Sequence, residues 1–497
     1  MKKFTLKTLC VLWILGIAAG CALAAESKDS AQISPEMMER FERLEAETQQ
    51  LREEVARLNA QKESASRPVK QKSSVIDSNI SEEIPPVEMA VPESTVGASI
   101  PLTEIEASDQ DVMTPAEVDA YIERHIRDNA WRVGKMRVTP YGMIWASVLS
   151  TDQKTDASDW IGNPLPGDAN DRTVTSIQAR TSRLGLKIAA PNVNILGGMR
   201  SYGLVEIDFA NNCNSENKGT LQLREAYWAL ENDCYKILFG QTKDIISPLY
   251  AHFYDYNALY GLGNLGYRNP MLSFTRYFYF SENVKMDWTT GLVQICGMDF
   301  PGYDQMGSYP TLQSRIGWTI ARDCCRYPIK FGVGAHVGEQ RYDFPGERDR
   351  IESWSVNLDL ELPITDRFGV RAEFFHGQGL AGNVGGCYQS IDYNPVTGQG
   401  TRNSIHSTGG WAEIWWDWTD QLHWAIGYSG DDPHNGDIEE CKILNTRIVF
   451  VNVKYDFTEF LTSGIQYTYH MTDYRPGVYS EDFAHANGIE WMWRLTF

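Results

Sequence analysis

The 497-residue sequence predicts an all-β transmembrane protein. We expect an antiparallel outer-membrane β-barrel of about 16 strands, preceded by a periplasmic coiled-coil helix and a disordered linker. Three observations predict this class. The chain opens with a secretory signal, its carboxy-terminal two-thirds consists of alternating segments of about ten residues, and its final strand is aromatic on one face.

The final strand, from residue 488 to residue 497, alternates between apolar and polar side chains. Successive side chains of a strand face opposite sides of the sheet. One face carries Ile489, Trp491, Trp493, Leu495 and Phe497, and the other carries Glu490, Met492, Arg494 and Thr496. A strand between lipid and a watery lumen has this pattern, although a buried edge strand would share it. The terminal Phe resembles the signal that the barrel-assembly machinery recognises, so this machinery is an expected partner.

The amino terminus has the features of a signal peptide. Lys2 and Lys3 precede an apolar run from Leu9 to Ala19, and small residues follow at Ala22 and Ala24. This order is typical of secretory signals. We therefore predict that residues 1–24 are removed on export.

Composition limits the possible partners. The net charge of −20 argues against a nucleic-acid partner, because phosphate binding needs clustered cations. The mean hydropathy of −0.36 is compatible with a membrane barrel, since the lipid-facing half of each strand is averaged with its lumen-facing half. After the signal, no run approaches the ~20 apolar residues that a membrane-spanning helix needs.

Residues 35–62 have the heptad pattern of a coiled coil. One core position is occupied by Leu44, Leu51 and Leu58, and charged residues cover most of the outside. Such a narrow apolar stripe favours self-association, although a lone charged helix lying on another domain remains an alternative. Residues 63–112 are rich in Ser, Pro and Glu and predict a flexible acidic linker.

A short amphipathic helix is predicted over residues 113–130. Thr114, Pro115 and Glu117 have the spacing of a helix start. We expect this helix to dock at the periplasmic rim of the barrel, and a plug inside the pore is the alternative.

Residues 135–497 contain many segments in which apolar and polar side chains alternate. Short turns and long Gly- and Asn-rich loops connect these segments in alternation. This rhythm is typical of an outer-membrane barrel with short periplasmic turns and long extracellular loops. An even strand number places both ends of the barrel in the periplasm. The predicted strand centres are Ile144, Leu184, Val205, Ala226, Leu238, Thr275, Leu292, Ile316, Val333, Val356, Ala372, Ile414, Ala425, Val449, Ile465 and Trp493.

The first predicted strands carry a series of short motifs. They are Ser182–Lys187 followed by Tyr202, then Glu206–Phe209, Leu223–Tyr227 and Leu238–Thr242. In this order they resemble the first strands of the DcaP-like trimeric porins. The resemblance implies a sixteen-stranded barrel, an amino-terminal coiled coil, a homotrimer, and diffusion of small, often anionic solutes such as dicarboxylates. The long linker, the cysteines and the net charge of −20 depart from that family pattern.

The string Gly261–Gly266 matches the G-x-G-x-x-G pattern of dinucleotide-binding folds. That motif functions between a strand and a helix, and no helix is predicted here, so no cofactor is expected. We predict instead that residues 243–269 fold into the barrel as a constriction loop; an ordinary surface loop is the alternative. The loop residues expected to line the pore are Lys243, Asp244, Asp255 and Arg268.

Lumen-facing charges should form the opposite wall of the pore. Facing cations and anions would create a transverse field that selects solutes, although each charge could instead only brace the wall. The candidates are Arg183, Arg224, Glu206, Asp208, Arg315, Lys330, Arg371, Glu373 and Arg494, with Gln313, His336, Asp359, Glu361 and Glu490 on the same faces.

The sequence offers little support for an enzyme, a metal site or a redox function. The sequence has no H-E-x-x-H or G-x-S-x-G element, so no catalytic residue is predicted. Residues 431–437 are oxygen-rich but fit a solvated loop better than a calcium site. Cys387 and Cys441 lie in neighbouring predicted outer loops and could form a disulfide.

The sequence thus predicts a non-enzymatic porin of the bacterial outer membrane, in contact with outer-membrane lipid and with its coiled coil in the periplasm. Small hydrophilic solutes would diffuse through it passively. The alternative is a structural barrel that links the outer membrane to the cell wall, with peptidoglycan as a partner of the amino-terminal third.

Overall fold

A computed structural model describes residues 130–157, 160–167, 170–211, 220–295, 309–322, 325–344, 347–393, 400, 402–439 and 442–497. The predicted signal peptide, coiled coil and linker lie outside these residues, as does the predicted amphipathic helix except for residue 130. Those four assignments stay predictions.

The described chain forms one sheet of 18 strands. In chain order the strands are β1 (Trp131–Val133), β2 (Met136–Thr151), β3 (Val174–Gln178), β4 (Arg183–Val193), β5 (Met199–Asn211), β6 (Thr220–Glu231), β7 (Tyr235–Lys243), β8 (Arg268–Ser281), β9 (Val284–Val293), β10 (Thr311–Arg322), β11 (Cys325–Phe344), β12 (Glu347–Thr365), β13 (Phe368–Gln378), β14 (His406–Asp417), β15 (Leu422–Pro433), β16 (Ile443–Asp456), β17 (Leu461–Tyr474) and β18 (Phe483–Thr496).

The sheet closes into an antiparallel barrel. β18 pairs with β2 in the register Trp491 opposite Val148 and Leu495 opposite Ile144. β3 and β4 both pair with β2 and form one interrupted barrel strand, while β1 only adds a short hairpin to β2. The barrel therefore has sixteen strands, which confirms the predicted architecture, and every predicted strand centre lies within a strand.

The connections alternate between short and long. Turns such as 282–283 and 366–367 lie at one end of the barrel, and connections such as 152–173, 244–267 and 379–405 lie at the other. The first and last barrel strands begin and end at the end with the short turns. This is the predicted arrangement of periplasmic turns and extracellular loops.

The closing strand β18 shows how the two faces differ. Trp491 is 46% exposed and Ile489 is 56% exposed on the outside, whereas Glu490 and Met492 are buried inside the barrel. A barrel with an apolar exterior and a polar interior is the inverse of a water-soluble fold. Such an exterior is suited to contact with lipid.

Helical structure within the described residues is limited to single 3₁₀ turns in the long connections. They span Ala381–Asn383, Gly386–Tyr388 and Asn435–Asp437. No helix in this part of the chain has both the length and the apolar composition required to cross a bilayer.

Candidate functional site

The connection 244–267, here called the constriction loop, lies inside the barrel. Four of its backbone N–H groups donate to side chains on the far wall, which a surface loop could not reach. The pairs are Ile245 with Gln313 (3.0 Å), Leu249 with Glu373 (2.7 Å), His252 with Glu413 (2.8 Å) and Tyr254 with Gln466 (2.9 Å). The loop therefore follows the wall from β10 to β17, which confirms the prediction that it folds inward.

A wall glycine permits this close approach. A Cβ atom on Gly334 of β11 would lie 2.9 Å from the carbonyl oxygen of Ile246. Any side chain at Gly334 would push the constriction loop away from the wall. The glycine in β11 thus leaves room for the constriction loop where the loop crosses this strand.

Two further connections pack on the constriction loop. From connection 152–173, Ile161 N donates to Asp255 Oδ2 at 3.0 Å. Toward connection 379–405, Gly261 N donates to Val384 O at 2.7 Å, and Gly266 N donates to the Asn383 carbonyl at 2.8 Å. Hydrogen bonds of this kind join the three connections into one packed unit.

The G-x-G-x-x-G string belongs to this contact between loops. Gly261 has a φ of +69°, and a Cβ atom there would collide with the ring of Tyr388. A left-handed backbone and a ring in van der Waals contact both require glycine. The packing between the loops thus explains the glycine at position 261 without a bound nucleotide.

Apolar side chains fill the lumen on the side of β14–β16. Leu249, Phe253 and Leu262 of the constriction loop pack with Trp411 of β14 and Phe450 of β16, all of them buried. Polar side chains of the lumen stay partly exposed, such as those of His252 (44%), which is bound to Glu413 of β14, and Asp287 of β9 (23%). Polar groups therefore remain accessible beside the apolar packing.

Three cations with aromatic partners lie at the base of the constriction loop. The Lys243 Nζ lies 3.1 Å from the ring centroid of Tyr250, and the Arg268 guanidinium lies 4.7 Å from that of Tyr267. Arg224 lies 5.8 Å from the ring of Tyr256. A ring face stabilises a cation without neutralising its charge.

Lys243 and Arg268 face each other directly across β7 and β8. Like charges opposite each other destabilise a sheet. Arg268 is only 7% exposed, and its Nε has no acceptor among the described residues. Among those residues no carboxylate forms an ion pair with Arg268. Arg268 therefore adds a positive charge to the wall that no described carboxylate pairs with.

A second group of cations packed on aromatic rings lies where β18, β2 and β4 pair and close the barrel. Arg494 lies 4.5 Å and Arg183 lies 5.6 Å from the ring of Trp145. Arg180, in the break between β3 and β4, lies 5.5 Å from the ring of Trp160. The seam and the constriction loop thus both present cations on aromatic rings.

The predicted acidic residues of the loop hold it in place. Asp244 accepts hydrogen bonds from the side chains of Asn269, Gln313 and Asn383 at 2.9–3.1 Å. Asp255 is 2% exposed and accepts from the backbone N–H of Asn257 as well as from Ile161. Burial raises the pKa of both carboxyls, that of Asp255 to about 7.

Glu206 and Asp208 both bind Arg224. Arg224 Nε lies 2.7 Å from Glu206, and its Nη1 lies 2.8 Å from Asp208. The hydroxyls of Tyr141 and Tyr256 donate to the same two carboxylates at 3.0 and 2.7 Å. The charge of Arg224 is therefore compensated on the wall, unlike that of Arg268.

The charges on β9–β13 form a chain of ion pairs. Arg315 bonds Asp359 at 2.7 Å and lies 3.4 Å from Asp287. Farther along, Lys330 and Arg371 approach Glu361 at 3.7 and 3.5 Å. Such lateral pairs cross-link neighbouring strands, as the bracing alternative predicts. His336 also bridges two wall side chains, Ser353 and Ser355.

The sequence analysis did not identify several side chains that anchor the constriction loop or carry charge in the lumen. Glu413 and Gln466 hold the constriction loop, and Arg180 lies in the lumen because the strand breaks at residues 179–182. Alternation places Glu413 on the lumen face but does not reveal its partner. The aromatic stretch from Tyr250 to Tyr267 was the available signal for the rings that back the cations.

The described cysteines Cys234 and Cys387 form no disulfide. Cys441, the possible partner of Cys387, lies outside the described residues. In the oxygen-rich stretch 431–437, Asp437 accepts a 2.8 Å hydrogen bond from His406 Nδ1. Among the described residues no group of three or more His, Cys, Asp or Glu side chains is placed to hold a metal ion.

A closed antiparallel barrel of sixteen strands, with an apolar exterior and a loop folded into a charged lumen, has the porin fold of the bacterial outer membrane. In particular, the chain has the fold of the outer membrane channel DcaP of Acinetobacter baumannii. The TM-score is 0.56 at 17% sequence identity, over 73% of this chain and 97% of that chain.

Two other solved structures are similar at lower scores. The anion-selective porin from Comamonas acidovorans has a TM-score of 0.48 and 10% identity over 73% of this chain and 100% of its own. OmpF of Salmonella typhi, in complex with daunomycin, has a TM-score of 0.47 and 12% identity over 74% and 100%. No protein-family model and no curated protein matches this chain.

Proposed function

We propose that this protein is a porin through which small hydrophilic solutes, with a preference for anions such as dicarboxylates, diffuse passively across the outer membrane. The porin fold and the partly exposed polar side chains of the lumen support passive diffusion. The proposed route passes between the constriction loop and the wall of β2–β9.

The positive charge of Arg268 carries the proposed preference for anions. Arg268 is buried and lacks a carboxylate partner within the described residues, so an anionic solute would complete its electrostatic surroundings. Tyrosine rings hold Arg268 and Lys243 in position at the base of the constriction loop. The net charge of −20 belongs to the whole chain and does not describe this local field.

Swelling of proteoliposomes tests this proposal. Vesicles containing the protein should swell in isotonic solutions of small sugars and faster in small dicarboxylates. Substituting Lys243→Gln and Arg268→Gln should slow dicarboxylate entry more than sugar entry, because only the charged solute loses an attraction. Arg367→Gln is the matched control, since Arg367 is exposed at a periplasmic turn and bonds Asp420.

Folded barrels that cause no swelling would contradict the porin proposal and favour the alternative. In that alternative the barrel anchors the heptad segment 35–62, which would bind peptidoglycan or another envelope component. Sugar entry without any difference between wild type and the two lumen variants would leave a porin but overturn the anion preference.

We also propose that the chain assembles as a homotrimer through the outer face of its first strands. Outward residues there are small or aliphatic, such as Ile144, Ala146 and Leu184, and they are exposed in the single chain. The outward face of β14–β18 instead carries the aromatic side chains that favour a membrane interface. Those rings include Trp416, Trp418, Tyr428, Tyr455, Tyr467, Trp491 and Trp493.

A further inference from the structure

Two tyrosine hydroxyls of the constriction loop share a hydrogen bond beside the cations at its base. The hydroxyl oxygens of Tyr250 and Tyr260 lie 2.8 Å apart, and either can be the donor. Each hydroxyl has one hydrogen, and their bond uses one of the two. Within the described residues, neither hydroxyl forms another hydrogen bond. The pair therefore keeps one hydrogen that no described acceptor receives.

Burial indicates which of the two tyrosines keeps this hydrogen. Tyr260 is 6% exposed, whereas Tyr250 is only half-buried. A buried hydroxyl that donated to nothing would cost the free energy of a lost hydrogen bond. Tyr260 therefore donates to Tyr250, and the Tyr250 hydroxyl keeps its own hydrogen for a solute or for water.

Lys243 strengthens Tyr250 as a hydrogen-bond donor. The Lys243 Nζ lies 3.1 Å from the centroid of the Tyr250 ring and donates to the Pro248 carbonyl at 2.6 Å. A cation held against the face of a phenol ring draws electron density from the ring, so the hydroxyl hydrogen becomes more positive. The same contact fixes the orientation of the ring.

The Arg268 guanidinium is the second donor available to an anion here. It lies close enough to the Tyr250 and Tyr260 side chains to interact with them electrostatically. It lies over the ring of Tyr267, 4.7 Å from the centroid, and among the described residues no carboxylate forms an ion pair with it. A hydroxyl hydrogen without an acceptor and an uncompensated guanidinium therefore lie near each other at the base of the loop.

We propose that Tyr250 is a specificity-determining residue, through which the constriction favours carboxylates over halides. One carboxylate oxygen accepts from the Tyr250 hydroxyl while the other accepts from Arg268. Hydrogen bonds to an ionised oxygen are shorter and stronger than those between neutral groups. This inference rests on the proposed passage of anions and names the side chain that sets the choice among them.

Hydration explains why a hydroxyl is needed in addition to a positive charge. A cation attracts chloride and a carboxylate with the same long-range force, because both carry one negative charge. The two oxygens of a carboxylate hold water more strongly than chloride does, and their desolvation costs free energy unless other donors replace the water. Charge alone therefore favours chloride, and the Tyr250 hydroxyl offsets the cost for the carboxylate.

Reversal potentials in a planar bilayer test the proposal, with formate as the carboxylate because it is close in size to chloride. Potassium chloride on one side and potassium formate on the other give the formate-to-chloride permeability ratio of the full-length protein. Tyr250→Phe removes the hydroxyl and keeps the ring that contacts Lys243. Tyr260→Phe is the matched control, since it removes the same hydrogen bond between the tyrosines but keeps the Tyr250 hydroxyl.

Tyr250→Phe should lower the formate-to-chloride permeability ratio by about fivefold, as expected for the loss of one hydrogen bond. Tyr260→Phe should retain the ratio of the wild type. In a KCl gradient, all three proteins should show the same preference for chloride over potassium, because neither substitution changes a charge. This second measurement separates the loss of a donor from a displacement of the constriction loop.

A formate-to-chloride ratio that is equal in wild type and Tyr250→Phe would overturn the proposal. An equal fall in both variants would also overturn it, because the bond between the two tyrosines would then set the ratio. Either result, obtained with channels that prefer anions, leaves the porin proposal intact. A protein that opens no channels would instead contradict the porin proposal, and this inference with it.

Discussion

Asp255 links the packing of two connections to the protonation state of one buried carboxyl. Its buried carboxyl links the constriction loop to connection 152–173 through the Ile161 N–H. Glu490 of β18 lies close enough to interact electrostatically with it, and Arg494 is the cation on the same strand face. Two buried carboxyls near each other cannot both ionise at low cost.

The raised pKa of Asp255 predicts that the packing between the two connections becomes less stable as the pH rises. Burial raises this pKa from 3.8 to about 7, so the packed loop favours the protonated carboxyl. The stabilisation is complete below pH 3.8 and is lost as the pH rises through about 7. The equilibrium constant for local opening should therefore increase, by at most about tenfold per pH unit, and then level off above pH 7.

Hydrogen exchange measures this effect. The amides of Ile161 and Asn257 should open more readily at pH 8 than at pH 5, after correction for the intrinsic exchange rate. In Asp255→Asn the dependence should disappear. Protection that rises with pH in the wild type would contradict the sign.

At the residue scale, alternation predicted which face a charge occupies but not whether that charge is compensated. Arg224 and Arg268 look equivalent in the sequence. Glu206 and Asp208 on β5 reach Arg224, whereas Arg268 stands opposite another cation. This difference depends on the register between strands, which one sequence does not specify.

At the element scale, the constriction loop depends on its wall anchors. Glu373 alone accepts three hydrogen bonds, from Ser247 Oγ (2.7 Å), Leu249 N (2.7 Å) and Trp411 Nε1 (3.1 Å). Its loss leaves these buried donors without an acceptor, which costs roughly 1–3 kcal/mol for each donor. The loop should then leave the wall for a larger share of the time.

Single-channel recording measures the consequence of releasing the loop. Glu373→Ala should give larger or noisier conductance steps than the wild type, while Glu373→Gln, which can still accept, should lie between them. Arg367→Gln at the periplasmic turn serves as the control. Identical traces for all four proteins would show that Glu373 does not hold the constriction.

The inward fold of the loop was predictable, but its path was not. The glycine string Gly261–Gly266, which no predicted helix follows, indicated a constriction loop over residues 243–269. The anchors Gln313 and Gln466 lie 68 and 212 residues from their loop partners. The interruption between β3 and β4 was also missed, because residues 179–182 leave the ladder to make tertiary contacts that no local pattern encodes.

At the scale of the whole molecule, the outer face of the first strands should form the contact between copies. Ala146→Trp would overfill a packed interface, and overfilling typically costs about 1–3 kcal/mol. The trimer fraction seen by native mass spectrometry should fall. Ala335→Trp on β11 adds the same side chain on a lipid-facing surface and should leave the trimer intact; equal loss in both variants would contradict this interface.

The architecture of the whole barrel was the most predictable level. The two-residue period and the alternation of short and long connections depend only on local side-chain order, and they gave all sixteen strand centres correctly. The pairing of β18 with β2 followed from closure alone, since a barrel in lipid has no free edge.

The reversal potential in a planar bilayer under a KCl gradient tests the central claim most directly. We predict discrete channels with a potential that shows chloride to be more permeant than potassium. In Arg268→Gln the permeability ratio should fall by about fivefold, as expected from ~1 kcal/mol between unit charges 4 Å apart in water. A protein that opens no channels, or channels that prefer potassium, would contradict the account.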